Sequence, residues 1–216
     1  MQALGNFIGG AFVAPSGKAL VSRNPAADGA VVFETGYTVS AVADAATAAA
    51  AAQPAWARLS TAERWTALDK LKSAIAARAD LLADAIVLET GKLRSEAKLE
   101  IQTLLNRFEL VRAAMAADLV PGQVAPGEAL RYQALGVVAV IGPFNYPLHL
   151  CHAHVIPALA AGNTVIVKPS DITPLCGQRY AECVQAAGLP PGVLNVVIGA
   201  GEVGAALVAA PQVRGL

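Results

Sequence analysis

Residues 136–216 alternate short apolar runs with helical segments, and this alternation constrains the fold more than any other feature of the chain. The apolar runs contain β-branched residues and stop at glycine, proline or a charge, as strands buried in a parallel sheet do. Strands are predicted at 137–141, 164–168 and 193–198 and from Val213, and helices at about 148–161, 174–187 and up to about 210. Strands and helices that alternate in this way form right-handed βαβ units. We therefore expect an α/β fold with a Rossmann-like parallel sheet.

Unusual polar residues follow the first two of these strands. Gly142 and Pro143 end the first strand, Asn145 follows in the loop, and Lys168 ends the second strand. Ligands bind beyond the carboxyl ends of strands in open α/β sheets. An asparagine amide can stabilise an oxyanion and a lysine can bind ribose or phosphate, although Asn145 also suits an ordinary turn. The sequence therefore leaves two interpretations open: a ligand site at this edge of the sheet, or turn residues without a ligand.

The part of the chain before residue 120 has hairpin and helix patterns. Residues 7–37 alternate apolar runs with glycine, proline and asparagine, which favours surface hairpins. An alanine-rich helix follows from Ser40, and Pro54 is expected to end or kink it. Ser60 and Glu63 form a capping box for the next helix. Further helices are predicted up to a glycine cap at Gly91 and from about 95 to about 117.

Composition excludes several classes of partner. The chain has 216 residues with 16 basic and 16 acidic side chains, so no net charge attracts nucleic acid or an anionic membrane. Its mean hydropathy of +0.50 comes largely from alanine, and no apolar run is long enough to span a bilayer. Three cysteines without metal-site spacing indicate reduced thiols and a cytoplasmic protein.

Two further patterns suggest chemistry. The segment Gly199–Gly204 matches GxGxxG after a predicted strand, which is consistent with a conventional Rossmann dehydrogenase or with a tight turn alone. His149, His152 and His154 lie close to Cys151 in the sequence. Consecutive helical residues about 100° apart do not converge on one point, so we expect neither a metal site nor a thiol nucleophile here.

The motifs GPFNYP, PALAAGNTVIVKPSDITP, AGLPPGVLNVV and ETGK together resemble the aldehyde dehydrogenase superfamily. The resemblance covers essentially the whole chain, from FIGGAFV onward, and the motifs stand in the family's order. Within the superfamily, NYPLHL with His149 and His154 is similar to the group that oxidises N-succinylglutamate 5-semialdehyde in arginine catabolism. The resemblance thus implies an NAD-dependent oxidoreductase acting on a semialdehyde.

The resemblance also implies roles for individual residues. Asn145 matches the oxyanion-hole asparagine, and His154 is a candidate contact to an anionic substrate. The residues matched to cofactor binding are Ile141, Gly142, Pro143, Phe144, Lys168, Ser170, Asp171, Gly201 and Gly204. Asp171 stands where NAD-preferring members usually have glutamate; a carboxylate there repels a 2′-phosphate, so NAD is favoured over NADP.

In the family, the nucleophilic cysteine and the general-base glutamate lie downstream of the position matching Leu216. We therefore expect an incomplete cofactor domain that is inactive by itself, within an enzyme that forms a homodimer or homotetramer. The expected division is 1–120 for the N-terminal hairpins and helices, 121–135 for the start of a bridging arm, and 136–216 for the dinucleotide-binding units. The alternative is a non-catalytic dinucleotide-binding or oligomerisation module.

Overall fold

A computed structural model describes residues 2–118 and 122–216. Its strands are β1 Asn6–Ile8, β2 Ala11–Val13, β3 Lys18–Asn24, β4 Ala30–Tyr37, β5 Gly122–Ala125, β6 Glu128–Leu130, β7 Val137–Ile141, β8 Thr164–Lys168, β9 Leu194–Val196 and β10 Val213–Gly215. Its helices are α1 Ala41–Arg58, α2 Thr61–Ala77, α3 Ala79–Thr90, α4 Arg94–Asp118, α5 His149–Ala160, α6 Pro174–Ala187 and α7 Gly201–Ala209.

The main sheet has six strands in the order β10-β7-β8-β9-β1-β2. The first four are parallel to one another, which confirms the expected Rossmann-like sheet with βαβ units. The hairpin β1–β2 extends this sheet in the antiparallel direction. Two asparagines join it to β9 and to the residues after β9: Asn195 Oδ1 accepts the N–H of Gly9 at 2.9 Å, and Asn6 Oδ1 accepts the N–H of Ile198 at 2.8 Å.

Two cores lie on opposite faces of the sheet. Helices α2 to α6 pack over one face around residues such as Leu68, Phe108 and Ile156. The other face is covered by α1 and α7, whose Ala45 and Leu207 belong to a smaller apolar cluster. Because both faces are covered, the central strand β8 is buried throughout. Among the described residues, no helix is both long and apolar enough to cross a membrane.

Two local predictions have different outcomes. Ser60 accepts the N–H of Glu63 and the Glu63 carboxylate accepts that of Ser60, so the capping box is confirmed. Pro54 was expected to end or kink its helix; it does not end it, because α1 continues to Arg58, and the kink stays a prediction. Trp56 explains the continuation: it is buried and donates from Nε1 to the oxygen of Leu159 at 2.9 Å, so its packing offsets one missing backbone hydrogen bond.

The remaining strands form two separate hairpins. β3 pairs with β4, as the turn-rich N-terminal pattern predicts, and β5 pairs with β6. Residues 126–133 are exposed. The expected boundary between residues 120 and 121 lies outside the described residues, and the division into three regions stays a prediction.

Candidate cofactor and oxyanion site

The parallel pairing of β7 and β8 brings the candidate cofactor residues together. Ile141 lies opposite Lys168 in the register, and the N–H of Gly142 donates to the oxygen of Lys168 at 2.9 Å. A Cβ added at Gly204 would lie 3.5 Å from Cε of Lys168 and 3.7 Å from Cδ1 of Ile141. The first turn of α7 therefore closes the same crevice, and glycine at position 204 keeps the crevice wide.

Lys168 is the buried cation of this crevice, with 5% of its surface exposed. Its ammonium donates to the oxygens of Pro169 and Gly199 at 2.7 and 2.8 Å. An ammonium has three donors, so these bonds leave one N–H to a ligand. Burial lowers the pKa of Lys168, and the charge of Asp171 opposes that shift.

Ser170 and Asp171 form the rim next to this lysine. The Ser170 hydroxyl accepts the N–H of Ile172 at 3.2 Å and donates to Asp171 Oδ1 at 3.4 Å. The Asp171 side chain is exposed. Gly201, at the start of α7, has open space where a side chain would stand. These positions offer hydroxyl and carboxylate groups and room beside a buried cation, which suits a ribose.

Sequence reasoning missed a polar group that attaches α7 to the second hairpin. Glu202 Oε1 accepts from Lys18 Nζ and from the Tyr37 hydroxyl, each at 2.8 Å. The Lys18 hydrogen bond contributes most to lowering the pKa of Glu202 to about 2. An acidic residue in a first helical turn is the only local signal, since Lys18 and Tyr37 are more than 160 residues away in the chain.

Asn145 lies in the exposed loop between β7 and α5. Its side-chain amide makes no hydrogen bond to the described part of the chain, so it is available to a ligand. The neighbouring Tyr146 packs differently, because Lys92 Nζ lies 3.6 Å from the centroid of its ring. Lys92 also pairs with Glu100 at 2.8 Å.

A cavity of about 490 Å³ adjoins this loop. Tyr146, the residue after Asn145 in the sequence, forms part of its wall, whereas Asn145 itself is not among the lining residues. Its lining comes from the α3–α4 connection, from α4 and from the start of α5, and comprises Lys92, Glu96, Leu99, Glu100, Thr103, Tyr146, His149 and Leu150.

The three histidines occupy different environments. His152 is fully buried, with Nδ1 2.9 Å from the Tyr180 hydroxyl, and burial lowers its pKa to about 3. His149 lines the cavity, and burial lowers its pKa. His154, the candidate substrate contact, is exposed on α5 and is absent from the cavity wall. No group of three metal-ligating side chains occurs in the described residues.

The three cysteines are free and buried. Burial raises the pKa of Cys151 and of Cys183 to about 12 and that of Cys176 well above its usual value. Because the thiolate is the reactive form, burial disfavours the reactive state of all three cysteines.

The chain is similar to known proteins along nearly its whole length. Residues 12–216 match the model of the aldehyde dehydrogenase family. The chain belongs to this family. Among curated aldehyde dehydrogenases, the N-succinylglutamate 5-semialdehyde dehydrogenase of Shigella boydii is 40% identical over 97% of the chain. N-succinylglutamate 5-semialdehyde dehydrogenase 2 of Caulobacter vibrioides is 43% identical over 95% of it. The chain spans 43% of the length of both relatives.

Solved aldehyde dehydrogenases have the same fold in the matched part. A mutant of aldehyde dehydrogenase C from Pseudomonas syringae, in complex with NAD⁺ and octanal, superposes with a TM-score of 0.92 at 36% identity. That match covers 98% of this chain and 44% of the solved one. Lactaldehyde dehydrogenase from Escherichia coli gives a TM-score of 0.91 at 33% identity, covering 97% and 45%.

Proposed function

We propose that this chain is the cofactor-binding part of an NAD-dependent aldehyde dehydrogenase that oxidises N-succinylglutamate 5-semialdehyde to the carboxylic acid. The observation that carries the proposal is the convergence of Ile141, Lys168 and Gly204 on one crevice at the carboxyl edge of the sheet. Two relatives with about 40% identity carry that substrate in their names. NAD⁺ bound to a similar solved structure supports the cofactor.

Each residue of the crevice has a task in this proposal. Lys168 donates its remaining N–H to a ribose hydroxyl, and Asp171 accepts from the ribose and disfavours a 2′-phosphate. Asn145 donates to the aldehyde oxygen as negative charge develops there. NAD supplies the hydride acceptor, and the other cofactor positions, Pro143, Phe144, Ser170 and Gly201 among them, form the surrounding wall.

The described thiols are buried and protonated, so we propose that this chain alone produces no NADH from an aldehyde. The complete enzyme would be a homo-oligomer in which the hairpin β5–β6, whose strand β6 is exposed, contributes to subunit pairing. A non-catalytic dinucleotide-binding module is the alternative, because the candidate cofactor residues all lie in this chain and a reactive thiol does not.

Calorimetric titration of the chain with NAD and NADP tests the cofactor site. Lys168→Met removes a charged hydrogen-bond donor. A hydrogen bond to a charged group contributes about 1.5–3 kcal/mol, so its loss should weaken NAD binding about 10- to 150-fold. Lys72→Met is a matched control, because Lys72 is a lysine of α2 that pairs with Glu109 of α4, outside the crevice. Unchanged NAD binding by Lys168→Met, or no binding by the wild type, would refute the proposed site.

Kinetic measurements on the complete enzyme distinguish the proposed dehydrogenase from the alternative of a non-catalytic binding module. We expect Asn145→Ala to lower kcat for the semialdehyde about 10²–10³-fold, as loss of an oxyanion donor does, while NAD affinity stays unchanged. Absence of NADH formation by the complete protein with any aldehyde would favour the binding module.

A further inference from the structure

The loop that carries Asn145 is attached to α4 by a buried carboxylate. Glu100 is 3% exposed, and its Oε1 accepts the N–H groups of Leu148 and His149 at 3.1 and 3.2 Å. These are backbone donors at the first turn of α5, where Leu148 occupies the N-cap without a side-chain cap of its own. A residue 48 positions earlier in the chain therefore caps this helix.

The second oxygen of the same carboxylate holds Lys92. Oε2 of Glu100 accepts from Lys92 Nζ at 2.8 Å, and only 17% of the Lys92 side chain is exposed. The same ammonium lies 3.6 Å from the centroid of the Tyr146 ring, a cation–π contact. One connected set of contacts thus runs from α4 through Lys92 to the residue directly after Asn145.

The loop is consequently held at both ends. The N–H of Gly142 donates to the oxygen of Lys168 where β7 ends, and Glu100 fixes the backbone where α5 begins. The Asn145 side chain has no hydrogen bond to the described residues, so its position depends on the backbone on either side. A donor to a developing oxyanion acts efficiently only when it is positioned in advance.

We propose that Glu100 and Lys92 are positioning residues that hold the Asn145 loop in its oxyanion-binding conformation. We call Glu100 and Lys92, with their contacts to Leu148, His149 and Tyr146, the clamp. The inference rests on the proposed function, because it assigns this clamp a catalytic consequence through Asn145. A simple helix cap would stabilise α5 equally well, but it would require no cation on the ring of Tyr146.

Hydrogen exchange on the 216-residue chain tests the clamp without catalysis. Lys92→Met removes the cation and leaves the apolar stem, and Glu100→Gln keeps an acceptor while removing the charge. We expect the amides of Leu148 and His149 to exchange at least about tenfold faster in both variants, as expected when a local hydrogen-bonded unit opens more readily. Amides of β8 should be unchanged, which separates loop opening from global unfolding.

A matched control lies on the same helix. Glu109 of α4 pairs with Lys72 at 2.8 Å, the distance found in the clamp, but 59% of its side chain is exposed. Glu109→Gln should leave exchange at Leu148 and His149 unchanged. Equal exchange in Lys92→Met and in the wild type would overturn the clamp. If Glu100→Gln fails to fold, Lys92→Met decides alone.

Kinetics of the complete enzyme test the link to Asn145. Lys92→Met should lower kcat about 10- to 100-fold, as a misplaced catalytic group does, without changing NAD affinity, and Lys92→Arg should restore most of the loss. In an Asn145→Ala background the same change should have no further effect. An equal loss in both backgrounds would overturn the positioning role. If Asn145→Ala alone leaves kcat unchanged, the proposed role of Asn145 fails, while the exchange experiment still decides the clamp.

Discussion

The buried imidazole of His152 makes the stability of this chain depend on pH in a way that can be calculated. The ring is fully buried, contacts Phe108 at a centroid distance of 4.9 Å and pairs with the Tyr180 hydroxyl. Burial first, then the charges of His149 and Arg107, lower its pKa from 6.5 to about 3. Between about pH 3 and pH 6.5, the unfolded chain therefore binds a proton at His152 that the folded chain does not accept.

The sign and size follow from proton linkage. Because the folded pKa lies below the unfolded one, stability is highest above pH 6.5 and falls as the pH decreases towards 3. With pKa values of 6.5 and about 3, lowering the pH from 8 to 5 removes about 2 kcal/mol of unfolding free energy. The free energy of unfolding of a typical domain is about 5–15 kcal/mol, so this loss is a substantial share of it.

Denaturant unfolding monitored by fluorescence of the two buried tryptophans, Trp56 and Trp65, measures the effect. We expect the stability difference between the wild type and His152→Gln to shrink by about 2 kcal/mol between pH 8 and pH 5. The lost Tyr180 contact adds only a pH-independent offset. His154→Gln is the matched control, because His154 is exposed on the same helix. A pH-independent difference for His152→Gln would refute the reasoning, since it would mean that the imidazole is protonated in the folded chain.

Three further predictions concern stability and use the same unfolding assay. Gly142→Ala should lower the free energy of unfolding by about 1–3 kcal/mol, because the added Cβ would overlap Sγ of Cys151. Adding Cys151→Ala should recover part of that loss. Full stability of Gly142→Ala alone would contradict this packing. Burial raises the pKa of Glu89, so the stability of the wild type relative to Glu89→Gln should fall as pH rises through that pKa; a flat difference would count against it. Ser60→Ala should lower the free energy of unfolding by about 1 kcal/mol, and an unchanged stability would argue against the capping box.

The crevice could be predicted from the sequence because its main residues each end a strand. Ile141 and Lys168 close two apolar runs, and adjacent parallel strands bring their carboxyl ends to one edge. Gly204 of α7 belongs to the GxGxxG pattern that follows the next predicted strand. The contribution of Glu202 was not predictable, because its partners Lys18 and Tyr37 belong to a distant hairpin.

The histidines show where local pattern is insufficient. His149, His152 and His154 look alike in the sequence, yet one lines a cavity, one is fully buried and one is exposed. Helical spacing assigns them to different faces, but only packing against α4 and α6 decides which face is covered. The pKa of each imidazole depends on that burial and hence on the tertiary structure.

By itself, the sequence determined the alternation of strands and helices, the α/β class and the family, because hydrophobic period and turn residues act over short distances along the chain. Tertiary structure alone decided that Glu100 caps α5 and binds Lys92 beside the Asn145 loop. A buried carboxylate needs partners wherever the fold supplies them, and here the backbone donors come from 48 residues away. The positions of the candidate residues are therefore readable in the sequence, whereas the contacts that hold them exist only in the folded chain.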